Sequence, residues 1–229
     1  MDISTRLPLP EPVRPGLLVR TLGTVVPGVR RTGEQIEAFA AEWHRRNLLA
    51  LDSDQPLLVA LGDSLAQGIG ATSVDHGYVG RLAEALQDRA TVLNLSASGA
   101  KISDVLDRQL PTLERLGVEP AVVTVTVGSN DLLRGLNPAT HAARMRRLVE
   151  VLPVNAVVAT LPDHGSMLAR RLSAVVRASG RERGVAVADV SAEMAGWRGK
   201  MAPDGFHPND AGYDAWVRAF LPAVSEKLG

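Results

Sequence analysis

The sequence predicts a three-layer α/β fold, in which helices cover both faces of a mostly parallel, five-stranded sheet. Two observations support this prediction. Short, continuously apolar segments alternate along the chain with segments whose apolar residues recur every three or four positions. The first pattern is typical of strands buried in a parallel sheet, and the second of helices that pack against one. Because strands that alternate with helices are joined by right-handed crossovers, this order indicates an open, doubly wound sheet.

The five predicted strands lack the alternating polar residues of a half-exposed strand. They are residues 57–61, 91–95, 121–127, 156–161 and 185–190. The predicted helices are residues 79–86, 102–110, 145–152, 168–176 and a last segment from about 209 or 210 to 224. Ligands of doubly wound sheets bind outside the carboxyl ends of the strands, so polar residues that follow the strands are candidates for function.

Composition excludes several classes of function and partner. The 25 basic residues balance 25 acidic ones, so nothing favours a nucleic acid or an anionic membrane surface as partner. The absence of cysteine excludes a thiol nucleophile and a disulfide framework. Prolines precede any apolar run near the N-terminus, and no apolar stretch is long enough to cross a bilayer. We therefore expect no signal peptide, no transmembrane segment and a cytoplasmic location.

Four short segments place polar residues where a strand or turn would end. They are Gly62-Asp63-Ser64-Leu65, Gly99, Gly128-Ser129-Asn130-Asp131 and Asp204-Gly205-Phe206-His207. A serine hydroxyl is a weak nucleophile at neutral pH and needs a base within hydrogen-bonding reach, and acyl transfer needs donors for the developing oxyanion. Together the segments supply a nucleophile, a base, an orienting carboxylate and oxyanion donors, which predicts a serine hydrolase.

These segments resemble the sequence blocks of the GDSL or SGNH hydrolase family. The resemblance extends over about residues 57–213 and includes Asn94-Leu95-Ser96-Ala97-Ser98-Gly99. It implies the flavodoxin-like version of the doubly wound fold. It also implies a hydrolase that acts on esters and needs no metal or cofactor, while the balanced charge of the chain favours a small-molecule substrate. Similar proteins include esterases, thioesterases, lysophospholipases and carbohydrate deacetylases, so the resemblance leaves the identity of the ester open.

The resemblance also implies a role for each matching residue. Ser64 would be the nucleophile, His207 the general base and Asp204 the carboxylate that orients the base. The oxyanion would accept hydrogen bonds from the backbone N–H of Ser64, the backbone N–H of Gly99 and the side-chain amide of Asn130.

Each segment also has a purely structural interpretation. Asp63 or Ser64 could cap the following helix. Asn130 could be a turn residue, with Asp131 as its partner in capping. Pro203-Asp204-Gly205 could form a turn beside a surface histidine. At the level of the domain, the alternative to an enzyme is a noncatalytic ligand-binding module. A flavodoxin-type nucleotide binder is disfavoured because the chain contains no glycine-rich phosphate-binding motif.

Three residues are candidates for substrate binding, namely His164, Trp197 and Met201. His164 follows the fourth predicted strand, and the other two lie, with Met194, in the stretch before Asp204. A solvated loop would explain the histidine equally well, and packing of a long loop onto the core would explain the apolar group. The chain has only three Trp, three Phe and two Tyr, few for a polysaccharide-binding surface, which favours small acyl substrates.

Residues 1–50 form an N-terminal extension ahead of the hydrolase domain, residues 51–229. Prolines and glycines predict an extended arm over residues 8–28. Thr32 and Gln35 form a capping-box pattern, which predicts that a helix begins at about Thr32.

This N-terminal helix has one apolar stripe, formed by Ile36, Phe39, Ala40 and Trp43. The stripe would be exposed to water on a lone helix, so we expect it to pack on the hydrolase domain. A membrane surface or a second copy of the chain is the alternative, and the sequence leaves the oligomeric state open.

Overall fold

A computed structural model describes residues 27–133, 137–163 and 165–229. The strands are β1 (Leu57–Gly62), β2 (Thr91–Asn94), β3 (Pro120–Thr126), β4 (Ala156–Ala159) and β5 (Ala186–Ala188). The α-helices are α1 (Pro27–Leu51), α2 (Ser64–Gln67), α3 (Tyr78–Ala85), α4 (Ile102–Asp104), α5 (Leu110–Leu116), α6 (Ser129–Leu133), α7 (Pro138–Val151), α8 (Met167–Arg183), α9 (Val190–Glu193) and α10 (Asp210–Leu228). A 3₁₀ helix (Val74–His76) precedes α3, and a π-helix (Val105–Gln109) joins α4 to α5. None of these helices has the length and apolar character that a membrane crossing requires.

Within the described residues the strands form one sheet, in the order β2-β1-β3-β4-β5, and every neighbouring pair is parallel. Strand β1 lies between two partners, because Ala60 pairs with Asn94 of β2 and with Thr124 of β3. This is the flavodoxin-like strand order. It confirms the predicted doubly wound α/β fold, and it brings the carboxyl ends of the strands to one edge of the sheet.

Each face of the sheet has its own hydrophobic core, because successive side chains of a strand point to opposite faces. Leu57, Val59 and Leu61 of β1 belong to one core, which α4, α5, α7 and α8 cover. Leu58 and Ala60 belong to the other, which α1, α3 and α10 cover. The largest buried side chains of this second core are Trp43, Tyr78, Tyr213, Trp216 and Phe220.

Helix α1 covers the edge strand β2. The Asn47 carboxamide donates to the Asn94 carbonyl at 2.7 Å and accepts from the Asn94 N–H at 2.7 Å, so it takes the place of a neighbouring strand. Trp43 is 1% exposed, and its indole N–H donates to the Gln67 carbonyl at 3.0 Å. Trp43 and Phe39 of the apolar stripe therefore pack in the second core, and Asn47 covers an edge that would otherwise be open to pairing.

Helix α1 begins earlier than the sequence pattern predicts. Pro27 is its first residue, a position where the missing N–H of proline costs no helical hydrogen bond. Thr32 lies inside the helix and its hydroxyl donates to the Gly28 carbonyl at 3.1 Å, so the capping box predicted from Thr32 and Gln35 is wrong. Residues 27–28 of the predicted arm are helical, and the rest of that arm lies outside the described residues.

Strands β4 and β5 end before their apolar patterns do. Leu161, which the pattern assigns to β4, is buried in the following loop, and its N–H donates to the Ser173 hydroxyl at 3.0 Å. Asp189 caps helix α9 through the N–H of Ala192 and so ends β5. The predicted strands were too long because an apolar loop that packs on a core has the same pattern as a buried strand.

Candidate active site

Ser64 lies just after β1 and is the first residue of α2. Asp63 is the N-cap of that helix, because its Oδ1 accepts from the Leu65 N–H at 3.0 Å. The capping interpretation of this motif therefore applies to Asp63, and the Ser64 hydroxyl is left for another partner. Ser64 is 6% exposed, so it lies below the protein surface.

His207 and Asp204 form a continuous chain of hydrogen bonds with Ser64. Ser64 Oγ lies 2.9 Å from His207 Nε2, and His207 Nδ1 lies 2.6 Å from Asp204 Oδ2. The other carboxylate oxygen of Asp204 accepts from the backbone N–H groups of Phe206 and His207, at 2.9 and 3.0 Å. Because an ionised Asp204 can only accept, a neutral His207 carries its proton on Nδ1 and presents an unprotonated Nε2 to the serine. The interpretation of His207 as a surface residue beside a turn is therefore wrong.

The surroundings of Asp204 favour its ionised form. Burial alone would raise the pKa of this carboxyl, but the hydrogen bond and charge of His207, together with the backbone N–H groups of Phe206 and His207, lower it to about 2. A buried carboxylate that stays charged at neutral pH can stabilise a positive imidazolium beside it.

Two backbone donors are available at this edge of the sheet. The N–H groups of Ser64 and Gly99 donate to no acceptor in the described part of the chain. Gly99 has a φ of 80°, a left-handed conformation that glycine adopts without strain. Its loop is held by Gln67, whose Oε1 accepts from the Ser98 N–H at 3.1 Å and whose Nε2 donates to the Ser96 carbonyl at 3.2 Å. Gln67 therefore ties the loop of Gly99 to the helix of Ser64.

The Asn130 side chain contacts the same region from the carboxyl end of β3. Its amide nitrogen donates to the Ala100 carbonyl at 3.0 Å and to Asp63 Oδ2 at 3.3 Å. The proposed capping partnership with Asp131 is wrong, because Asp131 Oδ2 accepts from the Ile102 N–H at 3.1 Å, at the start of α4. Asn130 therefore lies between the residue that precedes the serine and the residue that follows Gly99.

Asp63 is a fully buried acid next to this cluster. Burial raises its pKa to about 7, and the charge of Asp131 adds to the rise, although hydrogen bonds from the backbone N–H of Leu65 and the amide of Asn130 oppose it. Burial also raises the pKa of Asp131, against the hydrogen bond from Ile102. Asp63 consequently changes its protonation state near neutral pH.

Two buried carboxamides that were not among the predicted site residues hold this cluster together, those of Gln67 and Gln109. Gln109 Oε1 accepts from the Gly62 N–H at 2.7 Å, and its Nε2 donates to the Gly62 carbonyl at 2.8 Å. Gln109 ends the π-helix that interrupts the predicted helix 102–110, and such bulges are frequent at functional sites. A signal was present, because Gln109 is the polar residue on the apolar face that includes Ile102 and Val105.

Two of the three candidates for substrate binding are described, and they do not line a common cleft. His164 lies outside the described residues. Trp197 is 49% exposed and borders a cleft of about 190 Å³. The other residues that line this cleft are Asp163, Gly165, Ser191, Met194, Ala195 and Gly196. Met201 is not among them, since it is half-buried, packs against the second core and pairs with Pro208. Loop packing therefore explains Met201, whereas Trp197 faces a cleft.

Comparison with known proteins identifies the family. A model of the GDSL-like Lipase/Acylhydrolase family matches residues 60–215. The chain belongs to this family. This GDSL-family chain is 29% identical over 192 residues to Esterase TesA of Pseudomonas aeruginosa, an alignment that covers 79% of the chain and 94% of its relative. As a member of the GDSL-like Lipase/Acylhydrolase family, the chain is a hydrolase that acts on esters.

Solved structures of similar proteins share the fold. The crystal structure of TesA has a TM-score of 0.63 at 24% identity and covers 75% of this GDSL-family chain and 99% of its own. The crystal structure of Axe2, an acetylxylan esterase from Geobacillus stearothermophilus, has a TM-score of 0.61 at 20% identity, with 74% and 94% covered.

Proposed function

We propose that this GDSL-family hydrolase cleaves carboxylic esters of small acyl groups through an acyl-enzyme formed on Ser64. The observation that carries the proposal is the hydrogen-bonded series from Ser64 Oγ through His207 to Asp204, with contacts of 2.9 and 2.6 Å. A nucleophile, a base and an orienting acid in this order are the arrangement that activates a serine hydroxyl.

In the first half of the reaction His207 Nε2 accepts the proton of Ser64 while the serine oxygen bonds to the ester carbonyl carbon. Asp204 stabilises the imidazolium that results. When the tetrahedral intermediate collapses, the bond to the alcohol oxygen breaks and His207 gives its proton to the departing alcohol. A water molecule then repeats these steps on the acyl-enzyme, which releases the acid and restores the serine.

The carbonyl oxygen becomes negative in the intermediate and needs hydrogen-bond donors. The backbone N–H groups of Ser64 and Gly99 have no other acceptor within the described residues, which leaves them available. Asn130 supplies a third donor. Its amide nitrogen lies 3.0 Å from the Ala100 carbonyl oxygen and 3.3 Å from Asp63 Oδ2, so a substrate oxygen would replace the longer of these two contacts.

The scarcity of aromatic side chains favours a small acyl substrate over a polysaccharide, because the chain has only three Trp, three Phe and two Tyr. The cleft beside Trp197 is lined by residues that follow β4 and β5, on the sheet edge that also carries Ser64.

A panel of p-nitrophenyl esters from acetate to palmitate, with acyl-CoA thioesters and acetylated xylose beside it, tests this proposal. We expect kcat/KM to be highest for acetate or butyrate and to fall with chain length, and Ser64→Ala to abolish turnover of every substrate. A kcat/KM that rises up to palmitate would contradict the substrate class. Turnover by Ser64→Ala would contradict the mechanism.

A further inference from the structure

Helix α1 contacts the candidate active site although it precedes the part of the chain that the family model matches, residues 60–215. Two of its residues meet loops that lie beside the proposed catalytic groups. Gln35 contacts the loop that follows α2 and Ser64, and Gly28 contacts the loop that carries Asp204.

The Gln35 carboxamide holds the backbone of residues 70–71 from both sides. Its Oε1 accepts from the Gly70 N–H at 3.0 Å, and its Nε2 donates to the Ala71 carbonyl at 2.8 Å. Gln35 is half-buried, and these two bonds satisfy both ends of its amide. A paired contact of this kind fixes the loop in distance and in orientation, because moving the loop breaks both bonds together.

Gly70 in turn packs directly against His207. A Cβ atom on Gly70 would overlap the Pro208 carbonyl oxygen and would lie 2.7 Å from the Cβ of His207. The φ of Gly70 is 97°, so its backbone also favours glycine. The same two segments are also joined by Thr72, whose N–H and hydroxyl donate to the Asp210 carboxylate at 2.8 and 2.7 Å. The loop held by Gln35 therefore packs directly against the backbone of His207 and Pro208.

Gly28 makes the second contact, at the first turn of α1. A Cβ atom here would overlap the Pro203 carbonyl oxygen and would lie 2.9 Å from the backbone nitrogen of Asp204. The Thr32 hydroxyl, which donates to the Gly28 carbonyl, strengthens this turn. Helix α1 therefore abuts the Asp204 loop at one point and supports His207 through Gly70 at another.

We propose that helix α1 is a positioning element of the active site and that Gln35 is a positioning residue for His207. The inference rests on the proposed function, since it assigns Gln35 to the placement of the general base. Gln35 acts by holding Gly70 against His207, which keeps Nε2 in line with the Ser64 hydroxyl. Loss of this support displaces the base by a fraction of an ångström, and a misplacement of about 1 Å can cost about 10²-fold in rate.

The test compares kcat, KM and melting temperature for Gln35→Met, Gln35→Glu and Glu37→Ala, with p-nitrophenyl acetate as substrate. Methionine keeps the length of the side chain but forms neither hydrogen bond. Glutamate keeps an acceptor for the Gly70 N–H and restores one of them. Glu37→Ala changes an exposed residue of the same helix and is the matched control.

We expect Gln35→Met to lower kcat about tenfold with little change in KM, Gln35→Glu to recover part of the loss, and Glu37→Ala to match the wild type. Wild-type kcat in a folded Gln35→Met variant would overturn the inference. So would a loss of kcat that disappears on cooling well below the melting temperature, since that loss reports unfolding. Ser64→Ala is measured in parallel, because an active Ser64→Ala enzyme refutes the proposed function, whereas an inactive one beside a fully active Gln35→Met refutes only the role of Gln35.

Discussion

Asn130 and Asp63 are joined by a hydrogen bond of 3.3 Å between the amide nitrogen of one and a carboxylate oxygen of the other. Asp63 directly precedes the proposed nucleophile and also caps its helix through the Leu65 N–H. The amide that would stabilise an oxyanion is therefore oriented by the residue that begins the helix of Ser64. This contact links two strand ends, those of β1 and β3, which lie far apart in sequence.

Replacing Asn130 by alanine removes one of the proposed oxyanion donors and leaves Ser64, His207 and Asp204 in place. We expect kcat to fall by roughly 10²–10³ with little change in KM, since the lost bond strengthens only in the transition state. Steady-state kinetics on p-nitrophenyl acetate measures both constants. Asn137→Ala, at the exposed cap of α7, is the control. A rise in KM with unchanged kcat would show that Asn130 binds the ground state of the substrate instead.

The Asp204→Asn variant tests the orientation of the histidine. Asn keeps an oxygen for the Phe206 and His207 N–H groups and turns its NH₂ towards His207 Nδ1, which must then accept a hydrogen bond. The ring proton moves to Nε2, where it points at the serine, and kcat should fall on the order of 10⁴-fold. End-point assays with long incubation measure the remaining kcat. Activity within about tenfold of the wild type would mean that Asp204 does not set the tautomer.

Asp63 makes folding stability depend on pH in a direction that can be measured. The pKa of this carboxyl is about 7 in the folded state and about 3.9 in the unfolded chain. The unfolded chain therefore loses its proton first, and the free energy of unfolding falls progressively as pH rises from about 4 to about 7. Asp63→Asn keeps a capping side chain without the charge. Between pH 5 and pH 8, we expect the loss of unfolding free energy to be about 2 to 3 kcal/mol smaller in Asp63→Asn than in the wild type.

Urea unfolding of both proteins at the two pH values gives the change in unfolding free energy with pH for each. Groups that titrate alike in the two proteins contribute equally to both changes, so the difference between them reports Asp63. Equal pH dependence in the wild type and the variant would show that Asp63 is not the buried acid that titrates near neutral pH.

Sequence alone predicts the strands of the sheet and the main residues of the candidate site, because both depend on local patterns. Continuous apolar runs identify all five strands. Polar residues that follow β1 and β3 single out Ser64 and Asn130, and the polar segment before α10 singles out His207. Strand ends are less predictable, because Leu161 is as buried in its loop as it would be in β4.

The contacts that hold the site are not predictable in the same way. Three carboxamides bind backbone groups of distant residues through both their oxygen and their nitrogen, those of Gln35, Gln67 and Gln109. Any residue can supply a backbone partner, so such contacts have no pattern in the sequence. Gln109 shows the only local sign, a polar residue on an apolar helix face. Gly28, in the first turn of α1, likewise approaches the distant Pro203 carbonyl, a contact that no local pattern predicts.

Trp43 is the main anchor of helix α1, and its removal should destabilise the whole fold. Trp43→Ala leaves a cavity in the second core and an unpaired Gln67 carbonyl, so we expect a loss of about 3 to 5 kcal/mol of unfolding free energy. Urea unfolding measures it. Leu49→Ala, on the same helix but 61% exposed, should change stability by less than about 0.5 kcal/mol. Equal effects of the two variants would show that α1 does not pack on the sheet through Trp43.

Labelling with a fluorophosphonate tests whether Ser64 is the activated nucleophile. Such a reagent bonds rapidly only to a serine whose proton a neighbouring base can accept. Mass spectrometry of the labelled protein should locate one adduct, on Ser64, with loss of esterase activity in proportion to labelling. Ser64→Ala should remain folded and unlabelled, and His207→Ala should label far more slowly. An adduct on another residue, or full esterase activity in the Ser64→Ala protein, would contradict the account.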